Sequence, residues 1–129
     1  MILLDTCAII WDALDSSQLT SEAKSAIEHH EQELIICDIS IWEISMLINR
    51  KRLVVDDTAS GFINLLLQSR NYLVQEITPE IAALSVNFGS EINNDPADRL
   101  IAATSILLNA PIVTADENLR GASVLKTIW

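Results

Sequence analysis

The sequence predicts an α/β fold in which a mostly parallel sheet of four to five strands carries helices on both faces. Three observations point there. Short apolar runs of strand length alternate with segments of helical periodicity from one end of the chain to the other. Several of the helical segments open on capping signals. Acidic residues stand where apolar runs stop, as they do at the carboxyl edge of an open parallel sheet, where ligands bind.

Ile2-Leu3-Leu4 is a strand-like run leading into Ala8-Ile9-Ile10-Trp11, the expected first helix. Thr20 is the expected N-cap of the next helix, with Glu22 in its first turn and Ala23, Ala26, Ile27 and His30 at helical spacing. Leu34 to Cys37 reads as a buried strand, and Ser40 as the start of a helix to about Asn49 with Ile41, Ile44, Leu47 and Ile48 facing inward. Thr58 can cap a helix whose stripe is Phe62, Ile63, Leu66 and Leu67; Leu73 to Ile77 follows as a third strand. Thr78-Pro79-Glu80 supplies a cap, a proline at the first helical position and an acid facing the dipole. Asp95-Pro96-Ala97-Asp98 repeats that logic before the apolar helix Leu100 to Leu108, which Asn109-Ala110-Pro111 ends. Ile112 to Thr114 and Val124 to Ile128 supply the last two strands.

With 129 residues, 50% of them hydrophobic, the chain suits one domain over 1–129 with a single core. Only 3 Gly and 3 Pro interrupt it, which argues against disorder. The longest apolar stretch, Leu100 to Val113, holds Thr104, Ser105 and Asn109 and falls short of a membrane span. No basic residue precedes the first apolar run and Asp5 interrupts it, so no secretory signal is expected and the cytoplasm is the expected compartment. Cys7 and Cys37 form neither a disulfide framework nor a zinc spacing; both are expected to be small buried hydrophobes. A net charge of −10 argues against broad affinity for nucleic acid, though not against a narrow site. Arg50, Lys51 and Arg52 run together after a helix, either complementing its dipole or contacting a phosphate or partner.

Four acids fall at chain positions that converge in such a fold: Asp5, Glu43, Asp98 and Asp116. Each has a plainer role open to it. Asp5 can cap the first helix, and Ser40-Ile41-Trp42-Glu43 matches a capping box. Asp95 is the expected cap ahead of Asp98, which can pair with Arg99, and Asp116 can cap a short helix over Glu117 to Arg120. Drawn into one crevice, however, the four repel: one pair at about 4 Å costs roughly 4 kcal/mol at an effective dielectric near 20. Mg²⁺ or Mn²⁺, which prefer oxygen ligands, would relieve this, and phosphodiester hydrolysis is the chemistry that most needs such a site.

In order along the chain, Leu-Leu-Asp5-Thr6, Ser40-x-x-Glu43, Asp95-Pro-Ala-Asp98-Arg-Leu-Ile-Ala-Ala-Thr and Val-Thr114-Ala-Asp116 resemble the PIN-domain family, and within it the VapC-type toxins of type II toxin–antitoxin pairs. The resemblance runs from Met1 to Trp129, and the Asp-Pro-x-Asp segment is its specific part. It implies a three-layer α/β/α domain and a Mg²⁺- or Mn²⁺-dependent endoribonuclease. The acidic quartet would be Asp5, Glu43, Asp98 and Asp116, all available to metal, with Thr114 supporting the pocket. A homodimer and a cognate VapB-like antitoxin are the implied partners, and RNA the implied substrate. Cys7 and Asn93-Asn94 stand where family members often carry histidine. On this reading a metal-activated water attacks the phosphodiester in line. Asp5, Asp98 and Asp116 bind metal, while Glu43 binds it directly or through a water. Thr6, Ser40 and Asp95 stand beside the quartet, and Arg99 either contacts phosphate or, more simply, pairs with an acid. His29 and His30 are expected to be solvated or structural.

Two other classes compete. An α/β phosphatase or phosphotransfer domain also gathers acids at strand ends, but Asp5 is followed by Thr6-Cys7 rather than x-Asp, and the nearest lysine, Lys126, falls inside the last strand signal. A non-catalytic PIN-like module that only binds a partner has no need of four acids in one place.

Overall fold

The computed structural model describes residues 1–29 and 33–129. Five short apolar runs become strands: β1 (Ile2–Leu4), β2 (Leu34–Cys37), β3 (Leu73–Gln75), β4 (Ile112–Val113) and β5 (Thr127–Ile128). They form one sheet in the order β3-β2-β1-β4-β5. Every pairing is parallel, with Ile2 beside Leu34, Leu3 beside Ile112, Ile35 beside Leu73 and Val113 beside Ile128. Among the described residues seven α-helices accompany them: α1 (Thr6–Leu14), α2 (Ser21–His29), α3 (Asp38–Asn49), α4 (Ala59–Ser69), α5 (Pro79–Asn87), α6 (Pro96–Leu108) and α7 (Glu117–Gly121).

Successive strand residues point to opposite faces, and both faces are covered. Ile2, Leu4, Leu34, Ile36 and Val113 pack with Ile9, Ile27, Ile44 and Ile63 from α1 to α4. Leu3, Ile35, Cys37 and Ile112 pack on the other side with Ile101 of α6. This two-sided burial is why β1 and β2 read as unbroken apolar runs rather than alternating ones. Each such side chain contributes about 1.5–3 kcal/mol by leaving water. The result is the three-layer α/β/α arrangement with the sheet in the middle. Among the described residues no helix is long and apolar enough to cross a membrane.

The expected caps form. Hydroxyls of Thr20, Thr58 and Thr78 accept from the amides of Ala23, Gly61 and Ile81 at 3.1, 3.1 and 3.2 Å. Asn109 closes α6 in the left-handed conformation (φ 51°), which asparagine tolerates better than most residues, and Pro111 bars continuation. Boundaries shift where side chains intervene. Helix α1 spans Thr6–Leu14, wider than Ala8 to Trp11, because Asp5 caps it. Helix α3 begins at Asp38, two residues ahead of Ser40. The Asp38 carboxylate takes the Ile77 amide at 3.1 Å, which also withdraws Ile77 from the ladder and ends β3 at Gln75. A turn bond from Leu125 to Ala122 delays β5 to Thr127. His30 lies outside the described residues.

Chain order fixes where a ligand can enter. From β1 the sheet grows through β2 and β3 to one side, and through β4 and β5 to the other. The carboxyl ends of β1 and β4 therefore flank a topological switch point, the crevice where open α/β sheets bind ligands.

Candidate active site

Asp5 leaves β1 at that switch point as the N-cap of α1 and is only 8% exposed. The Thr6 amide donates to its Oδ1 at 2.8 Å and the Thr114 hydroxyl to its Oδ2 at 2.7 Å. Thr114 is fully buried at the end of β4, and its Oγ1 also accepts the Asp116 amide at 3.0 Å. One hydroxyl thus ties together the acids that follow two neighbouring strands. Asp116 in turn caps α7 through the Leu119 amide at 2.9 Å.

Thr6 reaches across to α3. Its hydroxyl donates to Glu43 Oε1 at 2.5 Å and lies 2.9 Å from Ser40 Oγ. With its single proton committed to the carboxylate, Thr6 must accept from Ser40. The capping box expected of Ser40 and Glu43 is not formed: the helix starts at Asp38, so both face α1 instead of their own first amides. Ser40 is completely buried.

Asp98 is the third residue of α6, and Asp95 caps the helix by accepting the Asp98 amide at 3.0 Å. Asn93 Nδ2 donates to Asp98 Oδ2 at 2.8 Å, while its side-chain Oδ1 accepts the Asp95 amide and its backbone amide donates to Asn118 Oδ1. Arg99 corrects a second expectation. Its guanidinium donates to the carbonyls of Asn93, Ser85, Phe88, Gly89 and Ile92 at 2.8 to 3.4 Å, and it makes no ion pair among the described residues. It neither meets an acid nor offers a donor to phosphate; it pins the loop that carries Asn93 to Asp98.

Asp5, Glu43, Asp98 and Asp116 line one cavity of about 360 Å³ with Thr6, Cys7, Trp11, Leu47 and Ala115. Burial raises the Asp5 carboxyl above its usual range, against the Thr114 and Thr6 hydrogen bonds, with repulsion from Asp116 and Asp95 adding to it. Glu43 rises for the same chief reason, with Asp5 and Asp95 repelling it. Asp98 is pushed up to about 6 by burial, helped by Asp5, Asp116 and Asp95 and opposed by Asn93. Among the described residues no lysine or arginine lines the cavity. Cys7 proves exposed rather than buried, and partial burial beside the four acids pushes its thiol up to about 11, so it stays protonated at neutral pH.

These residues fit a hard divalent cation. The donors are carboxylate oxygens, repelling one another in a cleft that no basic side chain lines among the described residues. The second oxygens of Glu43, Asp98 and Asp116 take no hydrogen bond from a described residue. Among the described residues no three acid, histidine or cysteine side chains form a ready-made coordination shell. Each acid instead has its own hydrogen-bond anchor: Thr6 and Thr114 for Asp5, Thr6 for Glu43, Asn93 for Asp98 and the Leu119 amide for Asp116.

The remaining candidates lie elsewhere. Asp95 stands in a neighbouring cavity that Glu43 also lines. Arg50, Lys51 and Arg52 are exposed beyond the carboxyl end of α3, and none lines the acidic cavity. Exposed His29 hydrogen-bonds the Ser25 carbonyl at the end of α2. Lys126 lines a separate cavity with Ser105 and Asn109, at the amino end of β5, which removes the lysine a phosphotransfer site would need. Asn93, the partner of Asp98, was not among the residues expected at the site. Asn93-Asn94-Asp95 did carry a signal: an Asx residue before a helix cap marks a side-chain-bonded turn. Nothing local marked Trp11 or Leu47 as lining, because tertiary packing alone brings them there.

A sequence profile of the PIN domain family matches residues 2–125. Ribonuclease VapC22 of Mycobacterium tuberculosis is 34% identical over 130 aligned positions, covering 99% of this chain and 98% of that protein. Among solved structures, VapBC2 from Rickettsia felis bound to a promoter DNA fragment aligns with a TM-score of 0.72 at 16% identity, over 98% of this chain and 97% of that one. A toxin–antitoxin complex from Klebsiella pneumoniae gives 0.67 at 22% identity, over 96% and 94% of the two chains. FitAcB from Neisseria gonorrhoeae gives 0.66 at 20%, over 98% and 96%.

Proposed function

We propose, because the chain belongs to the PIN domain family, that it is a VapC-type endoribonuclease toxin, with residues 1–129 as one PIN domain. The observation that carries the reading is the meeting of Asp5, Glu43, Asp98 and Asp116 in one cavity without a basic side chain. Such a site gains most from a divalent cation and a phosphodiester together. Asp5, Asp98 and Asp116 would hold Mg²⁺ or Mn²⁺, with Glu43 reaching it directly or through a water. Bound there, the ion would lower the pKa of a water and offset charge on the phosphodiester oxygens.

The rest falls to the chain's own residues. Thr114 fixes the spacing of Asp5 and Asp116, and Thr6 with Ser40 aims Glu43 into the cavity. Glu43, raised by burial, is suited to orient an attacking water and pass its proton on. Asn93 holds one Asp98 oxygen and leaves the other for the ion. The partners are a cognate VapB-like antitoxin and a second copy of the chain. A basic antitoxin segment entering the cavity would neutralise the same carboxylates, and a net charge of −10 favours such a partner.

Purified protein incubated with labelled total RNA and Mn²⁺ or Mg²⁺, beside EDTA and an Asp98→Asn variant, tests the reading. Discrete cuts that need metal and vanish in the variant are expected. Cutting that persists in EDTA, or equally in the variant, would overturn it. So would no cutting of any RNA by protein shown to bind the metal.

A further inference from the structure

We infer that Trp42 forms, with Pro96, a subsite for an unpaired base of the RNA next to the scissile phosphodiester. The inference rests on the ribonuclease reading and extends it to how substrate is held. Trp42 directly precedes Glu43 on α3 yet is 59% exposed, unusual for the largest apolar side chain. It lines a cavity of about 500 Å³ with Ile39, Met46, Asp95, Pro96 and Ala97, within the roughly 300–1,000 Å³ typical of ligand sites. Glu43 lines both this cavity and the acidic one, so the two adjoin at its side chain. A nucleotide whose phosphate meets the carboxylates therefore has an apolar, aromatic recess beside it.

Charge indicates why a base should fill that recess. RNA is ordinarily gripped through its phosphates by lysine and arginine. Here, among the described residues, no basic side chain lines either cavity. Arg99 is occupied by carbonyls, Arg70 is bound to Asp12, and Arg50, Lys51 and Arg52 lie past the far end of α3. Within the two cavities, affinity must therefore come from contacts other than basic side chains. Base–aromatic stacking supplies it without regard to charge, and unstacked bases of single-stranded RNA are the usual targets of such platforms.

The test pairs two protein variants with two substrates. A short RNA holding one mapped cut site is compared with the same RNA made abasic at each nucleotide flanking the cut. Both are cleaved by the wild-type protein, Trp42→Ala and Trp42→Phe, with the mass of each protein measured in solution. At one flanking position the abasic substitution should lower wild-type kcat/KM about 5- to 100-fold. Trp42→Ala should lose as much on intact RNA and nothing further on the abasic one, and Trp42→Phe should keep most activity. An abasic penalty of the same size in Trp42→Ala as in the wild type would overturn the subsite. If Trp42→Ala also changed the mass, a second copy of the chain would be the occupant instead. Failure of the wild type to cut any RNA would remove the ribonuclease reading and the subsite with it, a result distinct from the other two.

Discussion

Asp5 and Asp12 sit near the two ends of α1 and meet burial in opposite ways. The Asp12 side chain is 7% exposed and receives two guanidinium bonds from Arg70, each 2.9 Å long, plus the Tyr72 hydroxyl at 3.4 Å. Its bond and charge hold the Arg70 proton more tightly, and burial beside it pushes the Tyr72 phenol upward. Asp5 is as deeply placed but is given a hydroxyl, a backbone amide and other acids, with no cation. One end of the helix matches its charge and is built for stability. The other leaves charge unmatched, a pattern that clusters at functional sites.

The sharpest way to break the comparison is to neutralise one unmatched acid. Asp98→Asn should lower RNA cleavage at least on the order of 100-fold while leaving circular dichroism unchanged. Breaking the matched end should do the reverse. Arg70→Met leaves Asp12 buried without its cation and should cost about 2–3 kcal/mol in urea unfolding, with cleavage per folded molecule unchanged.

A smaller effect comes from pH. The folded Asp98 carboxyl titrates near 6 against an ordinary 3.8, so the folded state holds its proton longer than the unfolded chain. That stabilisation is full below about pH 3.8 and disappears as pH rises through about 6. At pH 7 the metal-free protein should therefore lack roughly 1–2 kcal/mol from this group, a figure reduced for solvent screening. Thermal melts from pH 4 to 7 should show the slope in the wild type and a shallower one in Asp98→Asn, and Mn²⁺ should raise the wild-type Tm at pH 7. The mildest change is Thr114→Val, which removes the hydroxyl joining Asp5 to Asp116. About 1 kcal/mol of stability and up to roughly tenfold in metal affinity should be lost, read by melting and by metal titration.

Much of this was legible in the residues. Two-sided burial left β1 and β2 as apolar runs, and Thr58, Thr78 and Asp95 announced helices that form where the pattern puts them. The family pattern named the four acids that share the cavity. Their roles were harder to separate, because capping and site geometry coincide: Asp5 and Asp116 are caps and cavity walls at once. Ser40 misled because a local pattern matching a capping box is overridden when Asp38 starts the helix earlier and Thr6 arrives from α1. Arg99 misled because an arginine beside an aspartate suggests a pair, whereas the end of α5 and the loop after it offered it five backbone carbonyls. Such long-range partners leave no local trace.

Calorimetric titration of metal-free protein with Mn²⁺ at pH 7, for the wild type and Asp98→Asn, tests most directly whether the unmatched acids exist to hold a cation. Saturable binding with proton release in the wild type, and binding weakened at least about tenfold in the variant, is the predicted result. Equal binding by both proteins, or none by the wild type, would contradict it and leave the cavity's four acids without the partner proposed for them.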